Sequence, residues 1–212
     1  MLSALSKIYG AAVVWNNKRF DSGSIIPVKC KAPVISIGNI SAGGSGKTPF
    51  TIMLTKEIIR MGYRPAIVGK GYKRKSRGLK IVSDGIEIFT NPVEAGDEMF
   101  MLAERLRVPV IVHDTKAEAA LVADNRFKPD VIIIDDGFQH RGLYRDLDIV
   151  LLDAASLERP YLLPKGRLRE PLSSLNRADI ISIPEDGVKL TDEFINNKLI
   201  IASSVQPAGI FD

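Results

Sequence analysis

The sequence predicts an α/β protein with a doubly wound, mostly parallel sheet and flanking helices, and three observations carry that prediction. Short apolar runs rich in β-branched residues recur along the chain: Val34-Ile-Ser-Ile37, Ala66-Ile-Val68, Val110-Ile-Val112, Val131-Ile-Ile-Ile134, Ile149-Val-Leu-Leu152, Ile180-Ile-Ser-Ile183 and Leu199-Ile-Ile-Ala202. Stretches with helical periodicity lie between them, the arrangement of parallel strands joined by crossover helices. Val131–Ile134 shows no polar alternation, as expected of a strand buried on both faces. The 212 residues, 45% hydrophobic and 25% charged, match an ordinary globular chain long enough to bury a large core.

Residues 1 to 30 stand outside that unit. Leu2, Leu5, Ile8, Ala12 and Trp15 recur at spacings of three and four, flanked by Lys7, Lys18 and Arg19. An amphipathic helix of this kind suits a membrane interface, and equally a helix packed on the sheet. The sheet begins at Val34, and a glycine-rich turn leads into a helix over 48–61 that Gly62 ends. After the strand Ala66–Val68, Lys80-Ile-Val82 and Ile86-Glu-Ile88 are expected to pair as a hairpin around Ser83-Asp-Gly85. Asp97–Arg107 reads as a helix with Met99, Leu102, Ala103 and Leu106 on one face, and Lys116–Asn125 as a shorter one. The main domain is expected to span 31–203, with 204–212 starting a connection to a further lobe.

Charge and cysteine usage narrow the class of protein. Twenty-nine Lys and Arg against 25 Asp and Glu leave a net charge of +4. That is too little to argue for a nucleic-acid partner, but it suits anionic small molecules or an anionic membrane surface. The single cysteine, Cys30, cannot form an internal disulfide and fits a reducing compartment. The uncharged stretch Ile8–Asn17 is too short to span a bilayer, and no secretory cleavage site follows it.

Between the first strand and the next helix lies Ser41-Ala-Gly-Gly-Ser-Gly-Lys-Thr48. It meets the pattern G-x-x-x-x-G-K-[S/T] at Gly46, Lys47 and Thr48, with Ser41 in the first glycine position. Gly43, Gly44 and Gly46 let backbone N–H groups turn inward on a phosphate, and the helix N-terminus adds the positive end of its dipole. Ser41, Ala42, Gly43, Gly44, Ser45, Gly46, Lys47 and Thr48 are therefore the expected phosphate-binding residues of a P-loop NTPase-type fold. Lys47 would reach the β- and γ-phosphates, and the Thr48 hydroxyl would sit on Mg²⁺. Strand Val131–Ile134 ends in Asp135-Asp136-Gly137, and an acid at that edge beside a P-loop is a magnesium holder. Asp135 and Asp136 are thus the expected metal residues. These motifs imply a nucleoside triphosphate with magnesium but no particular acceptor, since motors, switches and kinases share them.

Four longer strings are more specific: Gly38-Asn-Ile-Ser-Ala-Gly-Gly-Ser-Gly-Lys-Thr-Pro49, Glu94-Ala-Gly-Asp-Glu98, Asp135-Asp-Gly-Phe-Gln-His-Arg141 and Leu162-Leu-Pro-Lys-Gly-Arg-Leu-Arg-Glu-Pro171. In that order, together with the N-terminal helix and Phe20-Asp-Ser-Gly23, the chain resembles the tetraacyldisaccharide 4'-kinases of lipid A biosynthesis. The resemblance implies transfer of the ATP γ-phosphate to the 4'-hydroxyl of an acylated glucosamine disaccharide 1-phosphate. The cofactors would be ATP and Mg²⁺, and the place the cytoplasmic face of the bacterial inner membrane, peripherally bound. Asp97 matches the family's candidate base, with Glu98 beside it; from the residues alone it is equally a helix N-terminal acid favoured by the dipole. Arg169 matches an arginine near the transferred phosphate, where a guanidinium offsets charge on the equatorial oxygens; the plainer alternative is a surface pair with Glu170. His140 reads as a structural histidine. The basic run Lys70, Lys73, Arg74, Lys75, Arg77 and Lys80 is a solvated loop by composition, and by resemblance lies near the lipid.

The chain departs from the family pattern in three places. Gly69-Lys-Gly-Tyr72 stands where Ser-Arg-Gly-Tyr is usual, a point charge for a planar fork. Thr115 stands where many members carry an arginine. The C-terminal lobe, with a histidine thought to partner the catalytic aspartate, has no counterpart here; the only histidines are His113 and His140. Two rival functions are compatible with the motifs alone. One is a P-loop switch or maturation factor without a sugar acceptor, although no Asn-Lys-x-Asp guanine-reading string is present. The other is a nucleotide-binding module inactive for lack of the further lobe.

Overall fold

All the β-branched runs become strands. The computed structural model describes residues 1–44, 46–185 and 198–204. In chain order the elements are α1 (Leu2–Asp21), β1 (Val34–Gly38), α2 (Lys47–Arg60), β2 (Pro65–Gly69), β3 (Lys80–Asp84), α3 (Pro92–Ala95), α4 (Asp97–Leu106), β4 (Pro109–Val112), α5 (Lys116–Phe127), β5 (Val131–Asp135), β6 (Leu147–Leu151), α6 (Ala154–Glu158), β7 (Ile180–Pro184) and β8 (Leu199–Ser203). A 3-10 helix covers Leu172–Arg177. The strands form one sheet in the order β3-β4-β2-β5-β1-β6-β7-β8. All neighbours run parallel except β3, which lies antiparallel to β4 at one edge. The fold is the doubly wound α/β architecture that the alternation predicts.

Both faces of the sheet are covered, which explains why its strands lack polar alternation. On one face α2 and α4 set Phe50, Ile58, Met99, Leu102 and Leu106 against Ile37, Ile67 and Ile133. On the other, α5 presents Ala119, Ala120 and Ala123 to Val34, Ala66, Ile132 and Ile134, small residues that let the helix approach closely. β5 sits between β2 and β1, so its successive isoleucines enter the two cores by turns. A third cluster around Phe138, Val150, Leu168, Leu175 and Ile181 packs the far half of the sheet. The P-loop strand β1 and the acidic strand β5 are adjacent and parallel, so their carboxyl ends open at the same edge.

The expected hairpin is reduced to a single bridge. Ile86–Ile88 is not a strand, but it returns along β3 through the antiparallel bridge from Ser83 to Ile88, with Asp84 N–H donating to Glu87 O at 3.3 Å and Phe89 N–H to Val82 O at 2.9 Å. The reason is local. The Asp84 carboxylate accepts the Ile86 and Glu87 amides, both at 2.8 Å, and closes a tight side-chain turn at the position where a ladder would start. Ile86 itself is 90% exposed, so a strand there would have no face to bury. β3 takes its partner from β4 instead.

The N-terminal helix forms as expected, but its apolar stripe faces outward. Leu2, Leu5, Ile8, Ala12 and Trp15 are all exposed, Ile8 at 68% and Trp15 at 63%. The opposite face, with Ser6 and Gly10 buried, lies against the segment that follows α6. The Ser6 hydroxyl donates to Leu162 O at 2.9 Å, and Arg141 Nη1 donates to Asn17 O at 2.9 Å. A Cβ on Gly10 would stand 2.7 Å from Leu162 Cδ1. The helix therefore packs on a loop segment rather than flat on the sheet. Beyond Ser204, the residues expected to begin a connection to a further lobe lie outside the described residues.

Ile133 is fully buried in the central strand. Ile133→Ala is expected to lower unfolding stability by about 2–5 kcal/mol, by lost transfer energy and the cavity left behind. Urea denaturation followed by circular dichroism measures it, and a loss under about 1 kcal/mol would mean that the site collapses freely.

Candidate active site

The P-loop is held from below by a neighbouring segment. Arg169 N–H donates to Ile40 O at 2.7 Å, Ala42 N–H to Arg167 O at 2.7 Å, and Arg167 Nε to Ala42 O at 3.0 Å. Ser41 and Leu168 form the antiparallel bridge between them. Ser41, in the first glycine position, is buried, and its hydroxyl donates to Asp153 Oδ2 at 2.6 Å beyond β6. The serine anchors the loop there. At the other end, Gly46 is the N-cap of α2 with φ of 75°, the left-handed region where a side chain adds strain. Gly46 has no side chain to cap α2, and a helix N-terminus of this kind turns its dipole and amides towards an anion. Ser45 lies outside the described residues.

β5 brings the two aspartates to the same edge. Asp135 is buried and accepts from Thr51 Oγ1 at 3.5 Å. Burial pushes its pKa up to about 6, against the pull of Lys116. Asp136 has φ of 52°, which few residues other than glycine tolerate. Its carboxylate meets Arg169 Nη1 at 3.0 and 3.2 Å and Lys47 Nζ at 3.5 Å. Burial raises the Asp136 pKa, but Lys116, Lys47 and Arg169 together outweigh that and hold it below the usual carboxylate range. Lys116, buried at the first position of α5, donates to the Asp136 carbonyl oxygen. Burial pushes its own pKa down to about 8, with Asp136 and Asp135 opposing.

A third wall comes from α4 and the loop after β2. Gly71 and Gly96 approach so closely that a Cβ on Gly96 would lie 3.0 Å from the Gly71 carbonyl carbon and the Tyr72 oxygen. Both have positive φ, 69° and 85°. This contact seats the α4 N-terminus beside Lys70 and Tyr72, and Glu98 faces the cavity.

Together these parts enclose a cavity of about 570 Å³ lined by Ala42, Gly43, Gly44, Gly46, Lys47 and Thr48, by Glu98, Lys116, Asp135, Asp136 and Arg169, and by His140. Nearly all the sequence-predicted site residues thus converge. Asp97 does not line it; it is exposed as the first residue of α4, one position before Glu98. Arg169 is not the surface partner of Glu170: its neighbour turns away and is itself buried. His140 is a wall residue, its pKa pushed down to about 4 by burial and by Lys116.

Sequence reasoning passes over Lys116 and Glu170. Lys116 has a readable signal, since a cation in the first turn opposes the helix dipole. Also unforeseen is a second cavity of about 560 Å³ across the loop. It shares Gly44, Gly46 and Pro49 and is walled by Phe50 and Met53 of α2, by Leu151, Leu152 and Pro184 at the ends of β6 and β7, and by Asp153 and Glu185 just beyond them.

A central parallel strand feeding a lysine-bearing glycine loop, with acids at the end of the neighbouring strand, defines a P-loop protein. A model of the tetraacyldisaccharide-1-P 4'-kinase family matches residues 1–209, and the chain belongs to that family. Tetraacyldisaccharide 4'-kinase of Chlorobium luteolum is 41% identical over 198 residues, covering 91% of this chain and 55% of the relative. That of Halothermothrix orenii is 43% identical over 190 residues, 86% of this chain and 48% of the relative. A crystal structure of LpxK from Aquifex aeolicus in complex with ATP superposes with a TM-score of 0.85 at 38% identity, covering 94% of this chain and 62% of that one. The chain spans about half the length of the curated relatives it matches.

His140 gives a pH signature with a definite sign. An unfolded histidine titrates near 6.5, whereas this one stays neutral down to about 4. Between those values only the unfolded chain takes the proton, so the contribution is complete above pH 6.5 and is lost as pH falls towards 4. From pH 7 to 4.5 the protein should lose about 2 kcal/mol more stability than its His140→Gln variant. Parallel urea midpoints for the two would refute it.

Proposed function

We propose that the chain carries the nucleotide site of a lipid 4'-kinase. It binds ATP with Mg²⁺ and transfers the γ-phosphate to the 4'-hydroxyl of a tetraacylated glucosamine disaccharide 1-phosphate. The observation that carries this reading is the convergence of Lys47 and Arg169 on Asp136 beside the glycine-started N-terminus of α2, in a chain of this family. The triphosphate lies along the loop, with the nucleoside in the cavity walled by Phe50, Met53 and Pro184 and the phosphates on the opposite side.

Charge balance supports magnesium. Lys47, Lys70, Lys116 and Arg169 face Glu98, Asp135 and Asp136, so the cavity has one cation in excess, too few for a triphosphate. The donors are hard oxygens, the Thr48 hydroxyl with the Asp135 and Asp136 carboxylates, which suit Mg²⁺. Among the described residues no three acidic or imidazole groups form a ready metal cluster. That agrees with an ion that takes one or two carboxylates and leaves other positions to phosphate. The raised pKa of Asp135 marks a buried acid short of positive charge. Bound there, Mg²⁺ neutralises charge on the phosphate oxygens.

The chain's own residues take the remaining roles. Lys47 holds the β- and γ-phosphates, and Arg169 offsets charge on the transferred group. Asp97, at the start of α4, takes or orients the proton of the sugar hydroxyl, with Glu98 beside it in the wall. The exposed stripe of α1, with Lys7, Lys18 and Arg19, supports peripheral attachment to the cytoplasmic face of the inner membrane. No described helix is long and apolar enough to cross a membrane.

The test is incubation with labelled ATP, Mg²⁺ and the acylated disaccharide 1-phosphate in detergent. Label on the lipid is expected; label in free phosphate alone would point to a hydrolytic switch, and nucleotide binding without turnover to an inactive module. Asp97→Ala should abolish lipid labelling and leave ATP affinity within about twofold, since it removes proton transfer rather than binding. Loss of both together would remove it as the base. For the membrane contact, Ile8→Glu with Trp15→Glu should weaken sedimentation with anionic vesicles roughly tenfold. Unchanged partitioning would assign the stripe to another partner.

A further inference from the structure

α1 docks in an unusual way for an amphipathic helix. Its apolar stripe is exposed, and the face turned to the protein is made of small and polar residues, with Ser6 and Gly10 buried. Hydrophobic burial therefore contributes little to where it sits, and hydrogen bonds fix the position. Arg141 holds the end of the helix through Asn17 O and Asp21, and the other three bonds fall on one short segment. Ser6 reaches Leu162 O, the Tyr9 hydroxyl donates to Arg169 O at 2.9 Å, and Asn17 Nδ2 donates to Glu170 Oε2 at 2.8 Å.

That same segment carries the P-loop on its other edge. The Arg169 amide is bound to Ile40 O and its carbonyl oxygen to Tyr9, so both of its peptide groups are tied, one inward and one outward. The next side chain is tied as firmly. The buried Glu170 carboxylate accepts from Asn17, from Gln139 Nε2 at 3.1 Å and from Arg177 Nη2 at 3.0 and 3.1 Å. With both Arg169 peptide groups tied and the next side chain anchored by three partners, the backbone at Arg169 is fixed and its own side chain enters the cavity. There its guanidinium meets Asp136.

We propose that Tyr9 and Asn17 are positioning residues, through which α1 holds Arg169 at the phosphate-transfer site. They touch no reacting atom. Their effect on rate rests on the kinase reading above; their effect on the segment does not.

Two measurements test this. With the lipid substrate in detergent, Tyr9→Phe should lower kcat roughly fivefold, the worth of one net hydrogen bond, and leave KM for ATP unchanged. Introduced into Arg169→Ala, the same change should cost nothing further, because its effect runs through the arginine. A full additional loss in that background would show a general structural role and overturn the proposal. Independently of turnover, hydrogen exchange at the Ala42 and Arg169 amides should quicken in Tyr9→Phe and in Asn17→Ala. Exchange equal to the wild type would overturn it as well. If the wild type places no phosphate on lipid, the kinase reading fails, while the exchange comparison still decides whether α1 holds the segment.

Discussion

The site depends on a half-buried concentration of like and unlike charge around Asp136. Two lysines and an arginine, from three different elements, meet one carboxylate and one carbonyl oxygen at the end of β5. Lys116 and Asp135 are the buried members, and neither would sit so far from water alone, because desolvation penalises the charged form. Each is kept by the others, and the opposite displacements of the Asp135 and Lys116 pKa values record the residual cost. Such a cluster is a poor way to gain stability and a good way to pre-arrange an anion site. The charges are already oriented, so an anion entering the site would leave little reorganisation to be made.

The sheet makes this arrangement possible. β1 and β5 are neighbours only because the chain leaves β1 through α2, crosses to β2 and β4, and returns to fill the gap. Two covered faces let β5 be wholly isoleucine and valine up to Asp135, so the strand is rigid to its last residue. The glycine contact between residues 71 and 96 does the same for the opposite wall, since backbone meets backbone there without side chains that could repack.

Much of this was readable in the residues. The strand-loop-helix order, the lysine and threonine and the paired aspartates are local in sequence, and local signals place chemistry well. What periodicity cannot supply is direction. The spacing of Leu2, Leu5, Ile8, Ala12 and Trp15 defines a stripe, but hydrogen-bond partners more than a hundred residues away decide which way it faces. Ser41 reads as a lapse from the glycine pattern until Asp153 is seen beneath it. The expected hairpin stops at one bridge because the Asp84 carboxylate takes the amides that a longer ladder needs. Glu170 carries no local mark, as a buried acid is recognised only by the Gln139, Arg177 and Asn17 around it.

Gly44, Gly46 and Pro49 line both cavities, so these three residues form a ridge between them. A small ligand confined to one hollow touches only half of the surface that the ridge offers. A molecule long enough to straddle it gains contacts on both sides at once, and it must enter and leave as a unit. The ridge thus works as a ruler, rewarding a ligand for its length as well as for its charge.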